Sequence, residues 1–334
     1  MADLSNLLDD AYSALLQDDL QKARQLLDQA RRQDANAGGD DLGVVLLEVE
    51  LLEAEGQEDL ALAAMEEVRA KQPKNALLAY HHARLLLDNF DDTDEARPLL
   101  ETLYKVHQNK TYEEVGLEAD EVDEFASGVL VSFSYCCLLD MDPKQALAYA
   151  EEAVALDGDD AEALLAKAAA LFDLGRADEA KASAQAVVQA DANVAEAHWL
   201  LGRIELAMGD EAAAKNRRDR AMGLAPGLFP DPVRTDAETM RKLLDDAKDE
   251  LPDVIANFID KADVAIQDLP AKDGWQTGTP PGTSVVVADG SLTLFQRNLE
   301  LEADTEEALV GVIADAVAQE IITFLDLDED DLLA

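Results

Sequence analysis

The chain is poor in basic residues, aromatics and cysteine. Lysine and arginine total 27 of 334 residues against 72 aspartates and glutamates, for a formal net charge of −45. That balance argues against nucleic acid as a partner, because phosphates need basic side chains, and against anionic membrane surfaces. It leaves a basic protein partner, or adaptation to a salty medium, as what the charge serves. The only cysteines are the neighbours Cys136 and Cys137. Adjacent residues on a helix do not reach disulfide geometry, and both lie in an apolar helical stretch, so two buried, unbridged thiols are expected. The first ten residues carry neither the basic region nor the apolar region of a secretory signal. No uninterrupted run of about 18 apolar residues occurs, so no membrane span and a cytoplasmic location are expected.

Histidine occurs four times and never after His198. His81 and His82 are neighbours, and neighbours on a helix point about 100° apart, which does not chelate one metal. His107 and His198 lack zinc-type spacing to thiols or carboxylates. Phosphate-binding glycine loops and nucleophile elbows are missing too: Gly274, Gly278 and Gly282 are interrupted by Pro280 and Pro281 and offer no cradle. No cofactor and no metal are expected.

What is present is a period. Ala161-Glu162-Ala163 returns 34 residues later as Ala195-Glu196-Ala197, and Gly175 returns as Gly209. Ala146, Ala180 and Ala214 share the same spacing, as do Ala153, Val187 and Ala221. Alanine at a helix crossing lets two backbones approach, and glycine after the first helix supplies the positive φ of a tight turn. A 34-residue period of this kind resembles the tetratricopeptide repeat family, most closely in Ala161 to Ala180 and Ala195 to Ala214, with Pro226 at the closing proline. Looser units are read at Leu4 to Asp34, at Leu42 to Pro73 turning at Gly56, and at Ala76 to His107 turning near Phe90-Asp91-Asp92. Asn109 to Glu124 breaks the period, as an insertion or as an elongated helix pair at the junction of two three-repeat blocks, and Asp34 to Asp41 reads as a flexible loop. The expectation is an α-solenoid of about six units over 1–226, with the insertion near 109–125.

The resemblance implies which side chains face a partner groove. Carried over to this chain they are Tyr80 and Arg84, then Val131 and Tyr135, then Leu165, Ala169 and Phe172, then Trp199 and Arg203. Trp, Tyr and Arg are enriched at binding hot spots. Two occupants stay open: a partner peptide or protein, or the chain's own C-terminal region capping the last repeat, whose apolar face must be covered somehow. The lysine and asparagine clamp of the subclass that grips chaperone C-termini is not matched at these positions.

Residues 227–235 carry two prolines and form the expected linker. Thr235 is read as a helix N-cap with Glu238 completing a capping box. Beyond it, Ala262 to Gln267, Thr283 to Ala288 and Leu292 to Arg297 have strand character, and Glu306 to Leu325 reads as a long amphipathic helix. The expected domain at 236–334 is small and α+β.

That helix ends in Q-E-I-I-T, Gln319 to Thr323. With Glu250-Leu-Pro, V-A-I-Q-D-L-P from Val264 to Pro270, a Gly/Pro-rich loop and S-L-T-L-F-Q-R-N-L-E from Ser291 to Glu300, the order resembles the small bacterial zincin-like metallopeptidases. Their H-E-x-x-H places two imidazoles at i and i+4 toward one zinc. Here Gln319 and Thr323 stand at the histidines, Glu320 keeps the position of the water-activating glutamate, and Asp326 replaces a glycine. The resemblance therefore implies a catalytically inactive domain. The acids Asp326, Asp328 and Asp330 are spaced as an EF-hand loop begins, but Asp331 stands at the glycine and no twelfth ligand follows. The leading expectation is a scaffold or adaptor that binds another protein or peptide, basic in one version. The alternatives are an active metallopeptidase using Glu320 with Asp328 or Glu329, or an acidic chaperone or decoy for a basic protein.

Overall fold

The computed structural model describes residues 4–17, 19–37, 41–115, 117 and 122–327, and the chain is mainly helical. It divides into two compact units, Met1–Asp157 and Gly158–Ala334.

The first unit is a run of antiparallel helix pairs: α1 (Leu4–Leu15) with α2 (Leu20–Ala37), α3 (Leu42–Ala54) with α4 (Glu58–Lys71), α5 (Ala76–Phe90) with α6 (Thr93–Asn109), and α7 (Val122–Leu139) with α8 (Pro143–Leu156). Ala11, Ala14, Ala23 and Ala30 are fully buried where α1 meets α2, as a close crossing requires. Asp92 caps α6 by accepting from the Glu95 amide at 2.9 Å, and Asp41 caps α3 by accepting from Val44 at 3.2 Å. The period is broken where expected, by a 3₁₀ turn at Tyr112–Val115. His107 anchors it, with Nδ1 2.7 Å from the Tyr112 hydroxyl and Nε2 3.3 Å from Glu152. The expected loop at 34–41 is corrected in part: α2 continues helically to Ala37, because the Ala and Asn there can propagate the helix, and Asp34 then accepts from the Asp41 amide at 3.2 Å.

The second unit holds α9 (Ala161–Asp173) with α10 (Ala177–Ala190) and α11 (Ala195–Ala207) with α12 (Glu211–Leu224), turning at Gly175 (φ 70°) and Gly209 (φ 88°). It also holds α13 (Ala237–Lys248), α14 (Asp253–Ile259), β1 (Asp263–Gln267), β2 (Val285–Ala288), β3 (Ser291–Phe295), α15 (Gln296–Glu300) and α16 (Glu306–Leu325). The sheet order is β1-β3-β2, with β1 parallel and β2 antiparallel to β3. Leu292 and Leu294 point from β3 into a core shared with Leu243, Leu244, Leu309, Ile313 and Val317. A small α+β region therefore follows the repeats.

Three local expectations are corrected. The third strand stops at Phe295; Gln296–Glu300 turns helical, so Gln296 and Arg297 leave the strand's alternation. The N-cap of α13 is Asp236, which accepts from the Thr239 amide at 2.8 Å. Thr235 is withdrawn from capping because its amide and hydroxyl both donate to buried Glu300, at 2.8 and 2.9 Å. Finally, α7 and α16 are each long and apolar enough to cross a membrane by length and composition, contrary to the expectation of no such segment. Scattered polar residues interrupt the apolar run in both helices. In the fold, α7 supplies Phe125, Val129 and Phe133 to one core and α16 supplies Leu309, Ile313 and Val317 to another.

Candidate partner-binding surfaces

In the first unit, Tyr80 and Arg84 project from α5, and Val131 and Tyr135 from α7. Tyr80 is committed to packing: its hydroxyl lies where a side chain on Gly128 would be, 2.3 Å from a built Cβ, and its ring meets Phe125 edge-on. Val131 is half-buried and Tyr135 is 38% exposed, its hydroxyl 3.4 Å from Asp91. Burial, then Asp91 and Asp88, push the Tyr135 phenol up to about 12.

Arg84 opens onto a cavity of roughly 250 Å³ between α3 and α5, lined by Leu46, Val49, Glu50, Glu53, His81 and Asp88 among others. Three of those side chains are carboxylates. Burial pushes the carboxyls of Glu50, Glu53 and Asp88 above their usual range. The compensation is partial: Arg84 stands 3.5 Å from Asp88, and Asn89 donates to Glu53 at 2.7 Å. His81 is pushed down to about 4 by burial and by Arg84, so at neutral pH it adds no positive charge. The pocket is thus lined by three leucine and valine side chains together with three carboxylates, one arginine and one histidine. The sequence reading missed Glu50, Glu53 and Asp88. The signal was available, since Leu46 and Glu50 precede Tyr80 and Arg84 by one 34-residue period.

In the second unit the groove positions are already covered. Phe172 is buried, and Leu165, Ala169, Trp199 and Arg203 are half-buried. Trp199 stacks on Phe229 at 4.8 Å between centroids and 17° between planes. The Arg203 guanidinium lies 5.8 Å from the centre of the Phe172 ring. Both are met by the Gly/Pro-rich stretch after β1: a Cβ on Gly282 would come 3.0 Å from Phe172 and 3.4 Å from Arg203. Trp275 in the same stretch packs on the Gly175 turn, and its indole N–H donates to the Pro270 carbonyl at 3.2 Å. Leu269 shares a small core with Leu206, Ala214 and Leu301.

On α16, Gln319 and Thr323 are exposed and Glu320 is half-buried. The Thr323 hydroxyl donates to the Gln319 carbonyl at 2.8 Å, a bond that serves the helix itself. Burial pushes the Glu320 carboxyl upward. An exposed amide and a hydroxyl turned onto its own backbone are not the donor set zinc requires. Among the described residues no three His, Cys, Asp or Glu side chains gather as a metal-holding group. Asp326 is the left-handed C-cap of α16 (φ 54°); Asp328, Glu329, Asp330 and Asp331 lie outside the described residues. Cys136 and Cys137 are buried and unbridged, and burial pushes both thiols up.

The family model of the tetratricopeptide repeat matches residues 138–204. No curated protein matches the chain. Among solved structures, the Cut9–Hcn1 hetero-tetramer of APC/C aligns with a TM-score of 0.52 at 14% identity over 67% of this chain and 40% of that one. PilF of Pseudomonas aeruginosa aligns at TM-score 0.46 and 18% identity, covering 67% and 92%. YrrB, a TPR protein with an unusual peptide-binding site, aligns at TM-score 0.36 and 20% identity, covering 60% and 94%. The chain carries tetratricopeptide repeats, and the likeness to the solved structures is one of fold.

Proposed function

We propose that this protein is a binding scaffold whose first unit takes a cationic side chain of a protein partner between α3 and α5. The observation that carries the reading is the α3/α5 cavity, where half-buried Glu50 and Glu53 and the exposed Asp88 converge with Arg84 as a lining cation. A lysine or arginine placed there supplies the missing charge, and the apolar side chains of Leu46, Val49 and Leu85 receive its aliphatic stem. The net charge of −45 steers such a partner from a distance. The C-terminal region acts, in this reading, as a catalytically silent zincin-like domain: Gln319 and Thr323 offer no ligand pair, and Glu320 has no bound water to activate.

The test is binding of a short oligoarginine peptide to the full chain, read by fluorescence anisotropy at several salt concentrations. The double substitution Glu50→Gln with Asp88→Asn should weaken binding about tenfold. The same double substitution placed at the exposed acids Glu66 and Asp178 should not. Equal losses from both pairs would instead identify a diffuse acidic surface, as a chaperone or decoy for basic proteins would use. No loss from either pair would remove the pocket from the function.

A further inference from the structure

The stretch from Pro270 to Thr283 lies across the helix faces that repeats of this type use for partners, and it does so by fit more than by polar bonding. Gly282 is seated so closely against Phe172 and Arg203 that a Cβ would force the Phe172 ring to give way. Trp275 brings its backbone so close to Gly175 that a Cβ there would fall 2.6 Å from its carbonyl carbon. The polar ties onto the repeats are few: Lys272 Nζ donates to the Met208 carbonyl at 2.9 Å, and Gln276 Nε2 to the Gly175 carbonyl at 3.5 Å. From the other side, one buried side chain holds the stretch in place. Asn298 Nδ2 donates to the carbonyls of Pro281 and Thr283, at 2.9 and 2.6 Å. Pro280, Pro281 and Gly282 form a turn closed by the Thr283 amide on the Pro280 carbonyl at 3.1 Å, and the two prolines limit the conformational freedom that turn gives up on seating.

We infer that this strap is a built-in occupant of the α9/α11 face, and that a proline-containing turn segment of a partner reaches Phe172 and Arg203 only by displacing it. The strap holds the groove as an intramolecular ligand, so a free peptide competes against a high effective concentration. Weakening the strap at one seat should open the face without disturbing the repeats. The inference concerns the second unit alone and stands whether or not the first-unit pocket takes a basic side chain.

The experiment uses the full chain and two single substitutions, Gly282→Val, which pushes the strap off Phe172, and Asn298→Ala, which releases its hold. The probe is a fluorescein-labelled synthetic peptide of residues 276–284. Trp199 and Trp275 are the only tryptophans in the chain, so acrylamide quenching reports on this region alone. Both variants should keep the helical circular dichroism signal, quench more readily, and bind the peptide about tenfold more tightly than the parent chain. Equal binding by all three proteins, or binding by none, overturns the inference. If both variants lose helix, hydrogen exchange on the parent chain decides. A Trp275 indole proton exchanging faster than the Leu201 amide supports a strap that opens on its own. Equal rates mean that it is a fixed part of the core and overturn the inference.

Discussion

Gly175 and Trp275 meet backbone to backbone, a hundred residues apart in sequence, with no space left for a methyl group between them. Gly175 also has φ 70°, as the turn between the helices of its repeat requires. Gly209 holds the equivalent turn one repeat later at φ 88°, with nothing within 4 Å of a built Cβ. The pair separates two costs. Gly209→Ala should lose only the left-handed backbone term, about 1–2 kcal/mol. Gly175→Ala should lose that plus the displacement of Trp275, a further cost of about 1–3 kcal/mol. Urea unfolding followed by tryptophan fluorescence measures both. Equal losses would mean that the Trp275 contact contributes nothing to stability.

The first-unit pocket trades stability for charge. Glu50 has its carboxyl pushed up chiefly by burial and then by Glu53. A carboxyl raised in the folded state favours folding while it is protonated, and that contribution is lost as pH rises through the folded value. Glu50→Gln should therefore raise stability at neutral pH by about 0.5 kcal/mol after solvent screening, with the gain vanishing toward pH 4. Urea midpoints at several pH values test it. A loss of stability at neutral pH would show that Glu50 is held by a favourable partner and that the pocket is not waiting for a cation.

The histidines on α5 have the opposite sign. His82 is buried, accepts from Arg69 Nη1 at 2.6 Å through Nδ1, and is pushed down to about 4 by burial and by Arg69. Its unfolded value lies near 6.5, so between about pH 6.5 and 4 the unfolded chain binds the extra proton. Stability conferred by neutral His82 is present above pH 6.5 and lost as pH falls through that window. His82→Gln keeps an acceptor for Arg69 and removes the titration. Its stability should decline less steeply than that of the parent chain from pH 7 to 4.5. Parallel declines would assign the acid sensitivity to other groups.

Repeats were legible because their signals are local and recur. Alanine at each crossing, glycine at Gly175 and Gly209, and aspartate at helix starts each act within a few residues, and a period of 34 multiplies them. Extending the register one unit back would also have placed Leu46 and Glu50 beside Tyr80 and Arg84. What stayed hidden was non-local. Nothing near Gly282 in sequence announces Phe172, and nothing near Thr235 announces that Glu300 takes its donors and leaves Asp236 to cap the helix. Helix α16 was legible as an amphipathic helix with the bounds it has, Glu306–Leu325; what an apolar-run count passed over is that α7 and α16 stay apolar enough on average to match a membrane's thickness despite scattered polar residues.

Glu320 should be dispensable for chemistry. Its neighbours Gln319 and Thr323 present an exposed amide and a hydroxyl committed to its own helix. Purified protein is expected to carry no stoichiometric zinc by elemental analysis and to leave casein intact. Glu320→Ala should change neither result. About one zinc per chain, removed together with proteolysis by Glu320→Ala, would restore the active metallopeptidase reading.

Glu300 is the strongest single test of the junction after the repeats. It is 1% exposed, and its two oxygens collect Thr235 twice, Gln296 at 2.8 Å and Arg234 at 3.2 Å, with Arg297 at 3.7 Å. Arg297 also reaches Glu211 on α12 at 3.3 Å, so the network ties α15 to the sixth repeat. Arg234 is 47% exposed and Arg297 keeps Glu211, so removing Glu300 leaves chiefly the two Thr235 donors without their buried acceptor, at a cost of about 1–3 kcal/mol. Glu300→Ala should lose that much. Glu300→Gln keeps the acceptor for Thr235 but not the charge opposite Arg234 and Arg297, and should lose about half. Because Leu269 shares a core with Leu206 and Leu301, the loss should appear as one cooperative transition of the second unit. A Glu300→Ala chain that unfolds the region after residue 235 separately, with the α9–α12 signal unchanged, would show that the network holds α13 and α15 alone and transmits nothing to the repeats.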